Sequence, residues 1–219
     1  MPLEAIELVR GNDPTHCVIW LHGLGADGHD FEPVVPELNL DLAVRFILPH
    51  APIRPVTLNG GMQMRAWYDI NPGDVRSGAD EIRESASLIH ELVENETARG
   101  IPSSRIALAG FSQGGVVALQ LAVRAEQPFA GVVALSTYLH NHENVGDEVS
   151  FASVNTPIFM AHGTLDPMIP LSRAVSSRNA LEALNYNVEW RQYDMAHQVC
   201  YDEIADISAF LNLIFMRKT

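Results

Sequence analysis

The segment LAGFSQGGVVAL, residues 108–119, interrupts an apolar run with a serine that lies between small residues. Residues 110–114 within it, GFSQG, match the pattern G-x-S-x-G. The apolar residues on either side predict a strand over 105–110 and a helix over 114–124. At such a tight strand-to-helix turn the serine is held in a strained conformation, and the glycines let the two elements approach closely. This context predicts that Ser112 is an exposed nucleophile, whereas the bare pattern is also typical of a plain turn.

Short apolar runs bounded by turn residues alternate with helical patterns along the chain. Runs of this kind are typical of buried parallel strands, and here they are HCVIWLHG (16–23), AVRFILPHAP (43–52), SRIALAGFS (104–112), FAGVVALST (129–137) and TPIFMAHGT (156–164). NVEWRQYD (187–194) alternates like a less buried strand, while residues 79–100 and 202–216 place apolar side chains at helical spacing. The alternation predicts one α/β domain over residues 1–219, with helices covering an open and mostly parallel sheet.

The composition narrows the classes of function. The 219 residues are 47% hydrophobic, enough for one sizeable core, and 27 acidic against 14 basic residues give a net charge of -13. This charge would repel nucleic-acid phosphates and anionic lipid headgroups. The N-terminus lacks the layout of a signal peptide, and no apolar run is long enough to cross a bilayer. We therefore expect a soluble, cytoplasmic protein that neither binds nucleic acid nor enters a membrane, with Cys17 and Cys200 as buried free thiols.

A serine hydroxyl is a weak nucleophile that needs a base to take its proton. His197, in MAHQVC, follows the last predicted strand, and Asp166, in HGTLDPMIP, follows another. The order Ser, Asp, His is that of an α/β-hydrolase triad, and open α/β sheets place their sites where strands end. In this assignment Ser112 attacks, His197 carries the proton, and Asp166 orients the imidazole. Asp194 is the rival acid, but it precedes the turn that must present His197.

Four further histidines are candidates for a catalytic or metal-binding role. His22 and His162 also end predicted strands, each before a glycine, where a histidine is more often hydrogen-bonded to its own loop than catalytic. His140 and His142, in YLHNHEN, could suggest a metal, but no third ligand stands at a recognisable spacing. We therefore predict a solvated loop there and no metal site.

The glycine-rich stretch LHGLGADG, residues 21–28, directly follows an early predicted strand. Its glycines let backbone N–H groups face a cavity, and the N–H groups of Leu24 and Gln113 are the candidate oxyanion donors. The alternative is an ordinary glycine-rich turn. A phosphate-binding loop is not predicted, because no G-K-[ST] follows.

Residues 57–78, TLNGGMQMRAWYDINPGDVRSG, do not fit the alternation of strands and helices. Long irregular segments in compact domains are often functional loops, and we expect Trp67 and Tyr68 to be exposed on this one. The alternative is that Trp67 anchors the loop to the core, as large aromatic side chains often do.

Five segments together resemble the carboxylesterase and acyl-protein thioesterase family, also called the phospholipase/carboxylesterase family. They are IWLHGLGADGHDF, LPHAPIRPVTLNGGMQMRAWYD, LAGFSQGGVVAL, HGTLDPMIP and MAHQVC, and they span about residues 16–210. The resemblance implies a minimal α/β-hydrolase without a large cap domain and without a metal or organic cofactor. It assigns roles to the residues already reached: Ser112 as nucleophile, Asp166 as acid, His197 as base, and Leu24 and Gln113 as oxyanion donors. It also implies an acyl-chain groove beside the nucleophile, formed in part by Met64, Trp67 and Tyr68.

The resemblance implies a serine carboxylesterase acting on small-molecule esters or thioesters, with short to medium acyl chains. The serine that follows the catalytic histidine in the eukaryotic thioesterase branch is Gln198 here, so the sequence looks closer to bacterial carboxylesterases. An acyl-protein thioesterase or lysophospholipase with the same triad stays open, as does a non-catalytic relative that binds a hydrophobic ligand. The presence of serine, acid, base and oxyanion loop together argues against a non-catalytic relative. The family also allows a homodimer, although the sequence carries no interface signature.

Overall fold

The structure is a computed structural model that describes residues 3–74 and 77–217. Its strands are β1 (Ala5–Arg10), β2 (His16–Leu21), β3 (Val44–Pro49), β4 (Ile53–Val56), β5 (Met62–Arg65), β6 (Ile106–Phe111), β7 (Gly131–Leu135), β8 (Ile158–Gly163) and β9 (Val188–Tyr193). Within the described residues, seven of them form one sheet in the order β1-β3-β2-β6-β7-β8-β9. Only the β1–β3 pair of this sheet is antiparallel.

Helices cover both faces of the sheet, and the strand sequences explain why. The helices are α1 (Ala79–Ala98), α2 (Gln113–Ala122), α3 (Leu171–Ala183) and α4 (Tyr201–Phe215). Successive strand residues face opposite sides, so Ile19 and Leu108 pack with α1, α2 and α3, while Trp20 and Ala109 pack with α4. Because both faces are buried, the central strands are apolar at nearly every position rather than at every second one.

The predicted mostly parallel sheet flanked by helices is confirmed. Each strand and helix predicted from sequence is present, but β1, β4, β5 and α3 were not predicted. No large cap domain is found among residues 3–74 and 77–217. None of the helices in these ranges is long and apolar enough to cross a membrane. Both cysteines are free thiols: Cys17 is buried as predicted, but Cys200 is only partly buried.

The irregular segment after β3 contains an antiparallel hairpin of β4 and β5. Gly60 and Gly61 form its turn with φ values of +67° and +80°, which side chains other than glycine rarely adopt. The hairpin leads directly into Trp67 and Tyr68, which are 0% and 3% exposed. The expectation that these rings are exposed is wrong, and the alternative, in which Trp67 anchors the segment to the core, is right.

One buried carboxyl group in the first turn of α4 has no compensating charge. Glu203 is fully buried, and within the described part of the chain its carboxylate oxygens make no hydrogen bond of normal geometry and have only a polar contact with the backbone of Cys200. Burial raises the pKa of Glu203 from 4.5 to about 8, the backbone amide of Cys200 offsets part of that rise, and the charge of Asp206 adds to it. The folded chain therefore holds a proton that the unfolded chain releases above pH 4.5.

Glu203→Gln is expected to stabilise the protein at alkaline pH. The stability supplied by the neutral carboxyl is present below the unfolded pKa and is lost as the pH rises toward 8. The gain in unfolding free energy should reach up to about 4 kcal/mol at pH 9 and nearly vanish at pH 4.5. Urea denaturation at the two pH values measures it.

The matched control is Glu96→Gln. Glu96 is also buried, but its carboxylate pairs with Arg45 at 2.7 Å and with Arg99 at 2.9 Å. Removing its charge should destabilise the protein, because Arg45 and Arg99 each lose one of their two carboxylate partners in the described ranges and keep only Glu7. A wild type and a Glu203→Gln variant with the same pH dependence of unfolding would contradict the account of Glu203.

Candidate active site

Ser112 lies at the turn between β6 and α2, in a conformation that residues other than glycine rarely adopt. Its φ is +53° and its ψ is -118°. A Cβ on Gly110 would collide with the backbone of Gly114, and a Cβ on Gly114 would collide with the backbone of β2, so both positions need glycine. The Ser112 N–H donates to the carbonyl of Leu135 at 2.9 Å, and its carbonyl accepts from Thr137 Oγ1 at 2.6 Å. Hydrogen bonds to β7 and the loop after it therefore hold the strained serine in place.

Asp166 and His197 come together from the loops after β8 and β9. His197 Nδ1 donates to Asp166 Oδ2 at 2.7 Å, and the other carboxylate oxygen accepts from the N–H groups of Met168 and Ile169 at 2.8 and 2.9 Å. Burial alone raises the pKa of Asp166, but the hydrogen bonds from His197, Ile169 and Met168 outweigh it and bring the pKa below its usual value. Because Nδ1 of His197 faces a carboxylate, the proton is assigned to Nδ1 and Nε2 is left free to accept one.

The imidazole of His197 also packs against the residue that precedes the serine. Its ring centroid lies 4.8 Å from that of Phe111, the residue immediately before Ser112. Asp194, the rival acid, is exposed, and no hydrogen bond joins it to His197 in residues 3–74 and 77–217. The structure thus brings Asp166, and not Asp194, to the histidine.

The candidate oxyanion donors lie on both sides of the serine. A Cβ on Gly23 would be 3.6 Å from the Cβ of Ser112, so the loop that carries Leu24 passes directly beside it. The N–H of Leu24 has no acceptor within the described ranges of the chain. Gln113 is the first residue of α2, and the first N–H groups of a helix have no acceptor inside the helix. Both groups are therefore available to a developing negative charge.

The side chain of Gln113 has a role that the sequence did not predict. Its Oε1 accepts from the N–H of Trp67 at 2.7 Å, and its Nε2 donates to the carbonyl of Tyr68 at 2.7 Å. Trp67 Nε1 donates to the carbonyl of His22 at 2.9 Å. These three bonds fasten the segment after β5 to the nucleophile turn and to the loop that carries Leu24.

The burial of the two aromatic rings changes the assignment of substrate contacts. The resemblance implies that Trp67 and Tyr68 bind substrate, but they present almost no surface to a ligand. Met64 is half-buried, and its sulfur lies 3.8 Å from a Cβ built on Gly25 in the candidate oxyanion loop. Of the three residues, only Met64 offers side-chain surface beside the site.

His22 and His162 are hydrogen-bonded within loops. His22 Nδ1 donates to the carbonyl of Gly23 at 2.7 Å, and its Nε2 accepts from the N–H of Ala51 at 3.0 Å. Burial lowers the pKa of His22 to about 4, so its ring is neutral at pH 7. His162 Nε2 donates to the carbonyl of Ile169 at 2.9 Å. The prediction that His22 and His162 bond to their own loops therefore fits the structure.

The loop with the other two histidines is partly exposed. His140 is half-buried, with a lowered pKa caused first by burial and then by nearby arginines, and His142 is also half-buried. In the residues that the structure describes, no cluster of three or more His, Cys, Asp or Glu side chains could hold a metal ion.

Known proteins resemble this chain over nearly its whole length. The family described as Phospholipase/Carboxylesterase matches residues 4–215. Acyl-protein thioesterase 1 of Neurospora crassa is 40% identical over 211 residues, which cover 90% of this chain and 86% of that protein. Acyl-protein thioesterase 1 of Yarrowia lipolytica is 35% identical over 219 residues, which cover 96% of each. The crystal structure of Arabidopsis thaliana SOBER1 superposes with a TM-score of 0.83 at 25% identity, covering 91% of this chain and 98% of that one.

Proposed function

Since the chain belongs to the phospholipase/carboxylesterase family of α/β-hydrolases, we propose that it is a serine carboxylesterase that hydrolyses esters of short to medium acyl chains. The family makes it a hydrolase, and the finer assignment is our proposal. The observation that supports it most is the 2.7 Å hydrogen bond between His197 and Asp166, with the His197 ring packed against Phe111, the residue before the strained Ser112.

The proposed reaction has two steps. Ser112 Oγ attacks the ester carbonyl carbon while His197 Nε2 takes its proton, and the oxyanion accepts hydrogen bonds from the N–H groups of Leu24 and Gln113. The bond to the alcohol then breaks, and the alcohol leaves with the proton from His197. In the second step His197 removes a proton from water, the water attacks the acyl-serine, and the carboxylic acid and free Ser112 are released. Every group in these steps belongs to the protein, so the proposal needs no metal or organic cofactor.

Exposed apolar side chains beside the site support an acyl substrate. Leu165 and Met168, on either side of Asp166, are each 65% exposed, and Met62 on β5 is 63% exposed. Large apolar side chains grouped on a surface commonly mark binding sites. Together with Met64 they offer contacts for an alkyl chain, and the net charge of -13 disfavours binding to anionic lipid surfaces.

Hydrolysis of protein thioesters is the second candidate. It is favoured by the two fungal relatives named acyl-protein thioesterase 1. The same serine, base and oxyanion donors would cleave a thioester by the same steps, with a thiol as leaving group. Lysophospholipid hydrolysis would use them as well. The bacterial carboxylesterase branch, the homodimer and the cytoplasmic location stay predictions from the sequence.

A substrate profile tests the proposed function. The purified chain is expected to be labelled by a fluorophosphonate probe, and to show its highest kcat/KM on p-nitrophenyl esters of short to medium chains. A palmitoyl thioester peptide and a lysophospholipid are assayed alongside. A higher kcat/KM on the thioester than on every ester would favour the second candidate, and absence of both labelling and turnover would favour the non-catalytic relative.

A further inference from the structure

A second imidazole lies against the candidate catalytic acid. His162 Nε2 is 3.4 Å from Asp166 Oδ2, the same oxygen that accepts from His197 Nδ1 at 2.7 Å. His162 Nε2 is also 2.9 Å from the carbonyl of Ile169, whose N–H donates to the other oxygen of Asp166. The ring therefore contacts both the carboxylate and the loop segment that holds it. His162 is fully buried, so solvent does not compete for these contacts.

The partners of His162 determine its tautomer. Nε2 faces two oxygen atoms that can only accept, so the proton is on Nε2. In the neutral ring Nδ1 is then an acceptor, and it is buried without a hydrogen-bond partner among the residues described. Buried polar atoms are nearly always paired, and an unpaired one costs about 1–3 kcal/mol. A donor for Nδ1 is therefore expected close to it.

Ser136, just after the neighbouring strand β7, carries a candidate donor, although its hydroxyl makes no direct hydrogen bond to Nδ1. Leu135 of β7 lies opposite Ala161 of β8, and the N–H of Ser136 donates to the carbonyl of Ala161 at 2.8 Å. Ser136 and His162 each follow one member of this pair, so they are neighbours where β7 and β8 end. Ser136 is also fully buried, and its Oγ has no partner in residues 3–74 and 77–217. A hydroxyl can donate, and Nδ1 of His162 must accept.

The backbone of Ser136 also suggests that its position is functional. Its φ is +44°, in the left-handed region that residues other than glycine rarely adopt. Strain of this kind persists where the surrounding structure fixes a residue, and it clusters at active sites. The next residue, Thr137, holds the carbonyl of Ser112.

We propose that His162 is a positioning residue for Asp166, and that the hydroxyl of Ser136, through one buried water, fixes the His162 tautomer that does so. The proposal rests on the proposed function, because it gives His162 its role through the acid of the Ser112 relay. The ring does not touch the substrate. The His162 ring holds the Asp166 carboxylate in position to accept the hydrogen bond from His197. Loss of the ring should therefore lower kcat and leave KM nearly unchanged.

Three substitutions at His162 separate this role from simple packing. His162→Phe keeps a ring but removes both nitrogens, and we expect kcat to fall about 10- to 100-fold, as is typical when a supporting hydrogen bond is lost behind a reactive group. His162→Gln can place an amide N–H near the position of Nε2 and should recover most of that loss. His162→Asn can reach only the position of Nδ1 and should not recover it. If His162→Phe fails to fold, the comparison of His162→Gln with His162→Asn still shows whether a donor at the position of Nε2 is needed.

A spectroscopic signal gives a readout that packing alone would not move. The hydrogen-bonded proton between His197 Nδ1 and Asp166 is expected as a far-downfield proton resonance, identified by its loss in Asp166→Asn. In His162→Phe it should shift or broaden, and in His162→Gln it should return. The control is His16→Gln. His16 is a buried histidine that packs on Phe215 at the N-terminal end of β2, whereas the site lies at the C-terminal ends of the strands. This control should change neither kcat nor the resonance.

A double-mutant cycle tests the part played by Ser136. Ser136→Ala alone should lower kcat by about 3- to 10-fold, and it should add nothing in the His162→Phe background, because the pair acts as a unit. Full additivity would overturn the role of Ser136. An unchanged kcat and an unchanged resonance in His162→Phe would overturn the role of His162. Failure of the wild type to react with a fluorophosphonate probe would instead refute the proposed function, and the resonance would still report on Asp166.

Discussion

Ser112→Ala is expected to lower kcat on p-nitrophenyl esters by about 10⁴- to 10⁶-fold. The residues of a serine triad act as a unit, so the loss of one removes nearly all of the rate enhancement that the triad provides. The residual rate would come from the oxyanion donors and from substrate binding. Alanine has a Cβ as serine does, so the strain at φ +53° stays the same and the fold should persist. Steady-state kinetics measures the fall in kcat, and circular dichroism on the same preparation checks that the variant is folded.

The control for this substitution is Ser103→Ala, at the start of a short helical turn before β6, where the serine hydroxyl donates to Gln127 Oε1 at 3.3 Å. It should retain the activity of the wild type. A folded Ser112→Ala protein that still hydrolyses the esters near the wild-type rate would refute the nucleophile.

Asp166→Asn is expected to lower kcat by about 10⁴-fold with little change in KM. The amide oxygen of asparagine can still accept from the N–H groups of Met168 and Ile169. Its NH₂ group would then donate to His197 Nδ1 and force the imidazole proton onto Nε2. In that tautomer His197 cannot accept the proton of Ser112, so the relay is blocked although its geometry is kept.

Asp194→Asn is the matched control, because Asp194 is the other carboxylate near His197 in the sequence. It is exposed, and its change should leave kcat within about twofold of the wild type, as is usual for surface sites away from special features. A collapse of activity in Asp194→Asn, with Asp166→Asn nearly active, would exchange the two assignments.

Much of the fold could be predicted because the central strands are buried on both faces, and this leaves short apolar runs that are easily recognised in the sequence. The elements that were not predicted have weaker patterns. Strand β1 lies at an edge of the sheet, and its residues alternate between half-buried and exposed. Helix α3 buries Ala174, Ser177 and Leu181, a set with a single large apolar side chain, so it has no clear hydrophobic stripe.

The candidate relay could be predicted from residue order, because strand ends in an open α/β sheet converge on one edge. The hydrogen bonds of the Gln113 side chain could not, because they join residues 46 positions apart through a hairpin whose path no local pattern sets. The burial of Trp67 follows from the same bonds. The contact of His162 with Asp166 depends on how the chain turns over residues 163–166, and sequence spacing alone does not specify this turn.

The central claim is that hydrolysis passes through an acyl group on Ser112. Intact-mass spectrometry after rapid acid quenching of wild-type protein mixed with a p-nitrophenyl ester, followed by peptide mapping, tests it most directly. The account predicts a mass increase of one acyl group, located on Ser112 and absent from Ser112→Ala. Turnover at the normal rate with no adduct at early times, or with the acyl group on a different side chain, would contradict it.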